Sequence, residues 1–584
     1  YKRQAITWAD ILTWTTGPLE SAATDLTATS KALVSAASDG QDATNAIQSQ
    51  GSAVTAIRTA ATTNMTALAR LATNVNSAMM AIEGAYDGVA TVMANIQNVQ
   101  AYAAANHCTI NADGTVSSNA YNESDSVKTQ AMLAAAELET TIKQIIKDAD
   151  QIDTDLYHAM SDINNDRATD GDKGGDNKVI GVPDHPNKNW TPSQNAAWWN
   201  SLTGKQQQHL IDHCPDEIRH LDGLPATARD QANRNALKGW VDANGDEHKG
   251  ALEYARGKLK EARDNSASEE EIEQLKEKVA DLEAIDRQTD NDDRARKGLA
   301  PAYLLDFDYD DKYHRTTAIV SSGNPDTASY VSTLVPGIGT HVGSDLKKYM
   351  DANENLKAQT AHTGVDPSRV ATISYLGYVA PEGPGGKIYQ AADIGYADRA
   401  APDLARFEEG LRASGNTNGH SFTNTVIGHS YGSTTAGKAM TQVAEGTVDN
   451  FIMCGSPGAG AESIDQYNVP KGHVYESSVP EGDAVQGLGP DSEYGTNPKK
   501  LDGIVHLSGD ATDADGYWSW TDSVRRTAGL LPFLKMDIDL HSFANHDRYF
   551  DNGTRTSQDF SNIIAGGKQT TDEEWAAIEE ERGK

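Results

Sequence analysis

Thr423-Asn424-Thr425-Val426-Ile427-Gly428-His429-Ser430-Tyr431-Gly432 reads as an apolar strand running into Gly-x-Ser-x-Gly, with a helix of small residues after it. This strand–turn–helix junction is a nucleophile elbow. Its two glycines permit a turn too sharp for side chains. The turn lifts the Ser430 hydroxyl clear of the backbone, at the positive end of the helix that starts there. Ser430 is therefore the candidate nucleophile.

The surrounding sequence has the grammar the elbow requires. From Ala302 onward, short strand-like runs recur at Tyr303–Phe307, Thr317–Val320, Tyr330–Pro336, Val370–Tyr375, Thr423–Gly428, Asn450–Cys454 and His473–Val479. Helical stretches at 344–358, 393–414 and 431–445 lie between several of them. Alternation of this kind predicts an α/β fold with a mostly parallel sheet covered by helices on both faces.

A serine hydroxyl is too weakly acidic to attack alone and needs a base and an orienting acid, which follow in the order Ser, Asp or Glu, His. The run His473–Val479 leads into Pro480-Glu481-Gly482-Asp483, so Asp483 stands just past a strand end and is the candidate acid. Glu481 and Asp510 are its rivals. His546 lies late in the α/β region, before the last helix, and is the candidate base; His541 and His506 are the alternatives. His429 is adjacent to the nucleophile and is read as structural, pointing away from the site. The developing oxyanion needs two donors. The elbow supplies the N–H of Tyr431. Leu334-Val335-Pro336-Gly337-Ile338-Gly339-Thr340, a strand feeding a glycine-rich loop, supplies the N–H of Ile338, with Gly339 or Thr340 as substitutes. That loop has neither a dinucleotide fingerprint nor a Walker lysine, which argues against a phosphate cradle.

The rest of the chain is helical in character. Leu12, Leu19, Leu26 and Leu33 recur every seven residues, and Ile47, Val54, Ala61, Leu68, Val75, Ile82 and Val89 continue the spacing. This is the seam of long antiparallel helices or a coiled coil, with the turn expected at Ser38-Asp39-Gly40. Asn111-Ala112-Asp113-Gly114 reads as a tight turn, and helical periodicity returns over 126–163. Asp162, Asn164, Asp166 and Asp170 do not have EF-hand spacing, so 164–190 is read as a solvated loop. Residues 249–287 predict a helical hairpin turning near Asn265-Ser266-Ala267-Ser268, with Ser268 capping and Glu271 at the third helical position. The expected organisation is a bundle or coiled-coil domain over 1–163, a linker over 164–190, a helical cap over 191–301, the catalytic domain over 302–565 and an acidic tail over 566–584.

Composition narrows the function. The chain has 584 residues, 50 basic and 84 acidic, for a formal charge of −34. Nucleic acid and anionic membrane surfaces are unfavourable partners for such a charge. Cys108, Cys214 and Cys454 are odd in number and far apart, which argues against a disulfide framework or clustered metal site. No apolar run reaches the roughly 18 residues of a membrane span. Tyr1-Lys2-Arg3 offers no apolar signal-peptide core and no Met, so a trimmed start is expected.

Several separate stretches resemble the actinobacterial α/β-hydrolase family catalogued as DUF1023. They are Ala197-Trp198-Trp199-Asn200-Ser201-Leu202; Leu221-Asp222-Gly223-Leu224-Pro225 with Arg229-Asp230 and Ala232-Asn233-Arg234; Leu304-Leu305-Asp306-Phe307; Val335-Pro336-Gly337; Leu376-Gly377-Tyr378; the elbow; and Cys454-Gly455-Ser456-Pro457-Gly458. The resemblance covers about 190–565. It implies an α/β-hydrolase fold, a triad of Ser430, Asp483 and His546, and a cap over 190–300 that belongs to the enzyme. Family members often carry helical N-termini similar to small WXG-type secretion proteins. Here no Trp-x-Gly separates the first two helices, although Tyr121 and Asp125 match the short Tyr-x-x-x-Asp export signal.

Two functions are expected from this reading. One is a serine hydrolase that cleaves an ester or related acyl bond of a small-molecule or lipid-like substrate, with no metal or organic cofactor. The other is an interaction protein whose N-terminal helices dock a secretion partner or a second copy, the hydrolase fold being a silent scaffold. Export to the envelope or extracellular space without a conventional signal peptide goes with either, a cytoplasmic location being the alternative.

Overall fold

The computed structural model describes residues 6–47, 51–165, 186–187, 189–202, 204–382, 393–479, 483, 491–512 and 545–581. The chain divides into two compact units, Tyr1–Pro225 with Glu409–Gly419, and Ala226–Glu408 with His420–Lys584.

The first unit is built on three long helices, α1 (Gly17–Ala46), α2 (Ser52–Ala105) and α3 (Asp125–Asn164). α2 packs along both of the others. At 1.5 Å per residue it is about 80 Å long. The heptad residues Leu19, Leu26 and Leu33 are half-buried along α1, with Ala23 and Ser30 buried between them; Leu12 lies outside the helix and is exposed. Threonine is a poor helix former, yet Thr24, Thr27, Thr29, Thr59 and Thr91 each donate the hydroxyl to the carbonyl four residues back. The turn falls after Ala46 rather than at Ser38-Asp39-Gly40, which α1 carries through. A single helical glycine costs only about 1 kcal/mol, too little by itself to end a helix of 30 residues. Trp8, Ile11, Val92, Ile96, Val99, Leu138, Ile142 and Ile145 form the core of this unit. A hairpin of Cys108–Ile110 with Val116–Ser118 closes through the expected turn, where Asn111 N–H donates to the Thr115 carbonyl at 2.8 Å. The loop expected over 164–190 lies mostly outside the described residues.

The second unit contains an eight-stranded sheet. Its strands are β1 (Ala302–Asp310), β2 (Arg315–Ser322), β3 (Tyr330–Val335), β4 (Val370–Leu376), β5 (Thr423–His429), β6 (Asn450–Cys454), β7 (Val474–Ser477) and β8 (Val505–His506). Their spatial order is β8-β7-β6-β5-β3-β4-β2-β1. β2 is antiparallel to β1 and β4; the other pairs are parallel. This is the α/β-hydrolase fold, with each expected strand present to within a few residues. The hairpin α4 (Ala251–Asp264) and α5 (Glu269–Gln288) turns where expected, and Ser268 Oγ accepts the Glu271 N–H at 3.2 Å. Its other helices include α6 (Val342–Gln359), α7 (Gly395–Thr417, of which residues to Glu408 belong here), α8 (Tyr431–Met440) and α9 (Arg555–Ile564). Leu304, Val320, Leu334, Ile427 and Ile452 from the sheet share one core with Leu346, Met350, Phe560 and Ile563 from α6 and α9.

The Arg229-Asp230 and Asn233-Arg234 motif has a structural task. β1 bulges between Leu304 and Asp306. Asp230 accepts the Leu304 N–H at 2.6 Å and the Arg234 Nε–H at 2.8 Å, while Asn233 donates to the Leu305 carbonyl at 3.0 Å and Arg234 to that of Ala302 at 2.9 Å. The motif thus satisfies the backbone groups that a bulge takes out of register. No helix among the described residues is long and apolar enough to cross a membrane.

Candidate active site

The elbow is the junction of β5 and α8. Ser430 takes φ 57° and ψ −134°, a backbone region that costs a residue with a Cβ about 1–3 kcal/mol. Hydrogen bonds on both sides hold it there. Its N–H donates to the Cys454 carbonyl on β6 at 3.0 Å, and its carbonyl accepts the Ser433 N–H at 2.9 Å and hydroxyl at 2.6 Å. A Cβ on Gly428 would strike the Ser433 backbone, and one on Gly432 the Val335 and Pro336 carbonyls. Parallel pairing of β5 with β3 and β6 therefore brings the loops after those two strands against Ser430.

The loop after β3 carries Ile338. Its neighbour Gly337 lies on Ser430: a Cβ there would overlap Ser430 Cβ and stand 2.7 Å from Oγ. Three bonds fix this loop. Gly339 N–H donates to the Pro381 carbonyl at 2.8 Å, Tyr378 Oη to the Pro336 carbonyl at 2.5 Å, and Arg315 to the Thr340 carbonyl at 2.6 Å. Gly339, a substitute oxyanion donor by sequence, is thereby engaged. Among the described residues, the N–H groups of Ile338, Thr340 and Tyr431 make no bond to another backbone group. The Tyr431 phenol turns away from Ser430, donating to the Asp393 carbonyl at 2.6 Å and accepting the Ala397 N–H at 3.1 Å.

The structure brings Asp483 and His546 together across 63 residues of sequence, with His546 Nδ1 2.9 Å from both Asp483 oxygens. The pair is sequestered, the Asp483 side chain being 1% exposed and that of His546 12%. The other ring nitrogen, His546 Nε2, is buried with no hydrogen-bond partner among the described residues. The rivals sit elsewhere. His506 Nδ1 bonds Glu476 at 2.6 Å, joining β8 to β7, and Asp510 accepts from the Thr512 N–H and hydroxyl while its carbonyl takes the Thr556 N–H at the start of α9. His541 and Glu481 lie outside the described residues.

Two neighbours, Gly455 and Tyr549, were not singled out from the sequence, and a third, His429, sits against His546 rather than pointing away from the site. Gly455, after β6, has φ 57°, and a Cβ on it would meet Asp483 Oδ2 at 2.7 Å and the His546 ring at 2.7–2.8 Å. Its place in the Cys454-Gly455-Ser456-Pro457-Gly458 stretch, one strand beyond the elbow, was the available signal. Tyr549 is buried and donates to Asp483 Oδ2 at 2.6 Å. His429 is buried, and its Nε2 lies 2.8 Å from the His546 carbonyl. A carbonyl can only accept, so Nε2 carries the proton. Burial, reinforced by the neighbouring His546, pushes the His429 imidazole down to about 4, keeping it neutral. Among the described residues, no three acidic, histidine or cysteine side chains are grouped to hold a metal.

Residues 311–491 match a family model described as alpha/beta hydrolase. That stretch runs from just before β2 past β7 and includes Ile338, Ser430 and Asp483; His546 and Tyr549 lie beyond it. The chain is also 27% identical over 387 residues to two uncharacterized proteins of Mycobacterium tuberculosis, MT2140 of strain CDC 1551 / Oshkosh and Rv2079 of strain H37Rv. The alignment covers 63% of this chain and 55% of each relative, so the chain spans about half the length of the curated relatives it matches. No solved structure is significantly similar. The family match supports a hydrolase.

Proposed function

We propose that the protein is a serine hydrolase acting on an ester or related acyl bond. The observation that carries this reading is the sequestered Asp483–His546 pair, whose second imidazole nitrogen is left without a partner among the described residues, in the unit that also holds an elbow serine in strained geometry. His546 Nε2 takes the hydroxyl proton as Ser430 Oγ attacks the acyl carbon. The N–H groups of Tyr431 and Ile338 receive the oxyanion. Collapse breaks the ester C–O bond, and the leaving alkoxide takes the proton from His546. Water then attacks the acyl-enzyme, giving one proton to His546, which returns it to Ser430 as the acid departs. Asp483 stays ionised throughout, holding the Nδ1 tautomer and stabilising the imidazolium.

The test is labelling by a fluorophosphonate probe together with a panel of p-nitrophenyl esters of varied chain length. Wild type should label and hydrolyse at least one ester, and Ser430→Ala should do neither. Unchanged labelling of Ser430→Ala would sink the reading.

A further inference from the structure

We propose that Tyr549 is a positioning residue for Asp483, so that the acid of the site is a hydrogen-bonded carboxylate–phenol pair rather than a lone carboxylate. This rests on the hydrolase reading for its role in turnover, but the pairing itself can be tested without turnover.

A buried carboxylate is costly unless its lone pairs are satisfied. Here both Asp483 oxygens face one N–H of His546, at 2.9 Å each, and a carboxylate can accept more than one such bond. Tyr549 supplies another. The phenol donates to Oδ2 at 2.6 Å and accepts the Val479 N–H at 3.2 Å. That second bond fixes the direction of the first. With the oxygen's acceptor side occupied by a main-chain N–H, the single phenolic hydrogen must point at Asp483. Burial, with Asp483 close by, holds the phenol well above the usual tyrosine range, so it stays a donor. Val479 ends the stretch after β7 that leads to Asp483, so the phenol also ties that stretch to the segment carrying the base.

The base is tethered in the same way. Tyr549 lies three residues after His546, on the 3-10 turn Arg548–Phe550, and its ring stands perpendicular to the imidazole at 6.5 Å. From the other side His429, next to the nucleophile in sequence, donates to the His546 carbonyl at 2.8 Å. The nucleophile's strand thus holds the base's main chain, while the base's own turn holds the acid's side chain. Chemically, a short phenol bond draws charge from Oδ2 and weakens Asp483 as a proton acceptor. The proton between the pair then stays on Nδ1, where general-base catalysis needs it.

Tyr549→Phe keeps the ring and removes only the hydroxyl. In the full chain we expect kcat for a p-nitrophenyl ester to fall about tenfold with KM little changed. We expect the acid limb of the kcat/KM profile to move up by about half a unit, because the unrelieved carboxylate holds a protonated imidazole more firmly. The low-field proton resonance of the His546 Nδ1–H, assigned by its loss in His546→Gln, should also shift. Should Tyr549→Phe fold poorly because the Val479 N–H loses its acceptor, 3-fluorotyrosine placed at position 549 keeps the shape and donates more strongly. It should move the acid limb the opposite way. A folded Tyr549→Phe with wild-type kcat, pH profile and resonance would overturn the proposal, as would a fluorotyrosine protein indistinguishable from wild type. A wild type inert toward esters and probes would sink the hydrolase reading instead, and a shifted resonance in the variant would still support the pairing.

Discussion

Ser430, the candidate nucleophile, holds a backbone conformation that a side chain resists. At φ 57° and ψ −134° the strain is about 1–3 kcal/mol, while glycine's extra unfolded-state entropy costs about 0.5–1 kcal/mol. Strain relief is the larger effect. Ser430→Gly should therefore abolish probe labelling and raise the unfolding free energy by about 1 kcal/mol, read by denaturant titration; a clear destabilisation would mean that the strain is not there. Gly455→Ala should do the reverse, placing a Cβ 2.7 Å from both Asp483 Oδ2 and the His546 ring. We expect kcat to drop at least tenfold, and stability to fall by about 1–2 kcal/mol. His429 gives a pH signature. Its folded value near 4 lies below the ordinary 6.5, so the unfolded chain takes up the proton first. The stability owed to the neutral imidazole is whole above about pH 6.5. It is lost as the pH falls to about 4, by roughly 3 kcal/mol. His429→Asn should flatten the pH dependence of unfolding in that window. The candidate nucleophile was legible because its motif is local and sterically demanding. Asp483 was legible because it follows a strand, and His546 because of its position late in the chain. Tyr549 was not legible, because nothing local marks a tyrosine whose partner lies 66 residues away.

The strands of the sheet were readable one by one, since each is a short apolar run bounded by turn residues. Their irregularities were not. The bulge in β1 shows only when Asp230, Asn233 and Arg234 are seen to satisfy Leu304, Leu305 and Ala302. Asp230→Ala would strand the Leu304 N–H and leave Arg234 without its 2.8 Å partner. A loss of about 3 kcal/mol in unfolding free energy is expected, from the buried donors left behind, and a loss under about 1 kcal/mol would mean that the motif is not a clamp. Asp-Gly inside α1 shows the opposite error. The dipeptide is a turn signal in isolation, but here the helix runs through it and ends at Ala46 instead.

At the scale of the molecule, the two compact units have separate cores, one around Trp8, Val92 and Leu138, the other around the sheet. Separate cores predict two calorimetric transitions. Covalent labelling at Ser430 should raise only the transition of the sheet-containing unit, because a ligand stabilises the unit that holds it. What the sequence by itself determined is what is encoded within a few residues: the period of each helix and strand, the elbow at Ser430, and an acidity that disfavours nucleic acid. The tertiary structure alone decided which distant groups meet. Parallel strand order carries the ends of β3, β5, β6 and β7 to one edge, and there Gly337 lies against Ser430, Gly455 against Asp483 and His546, and Tyr549 bonds Asp483. Local periodicity specifies which face of an element is apolar, whereas close packing between elements selects the neighbours of each side chain.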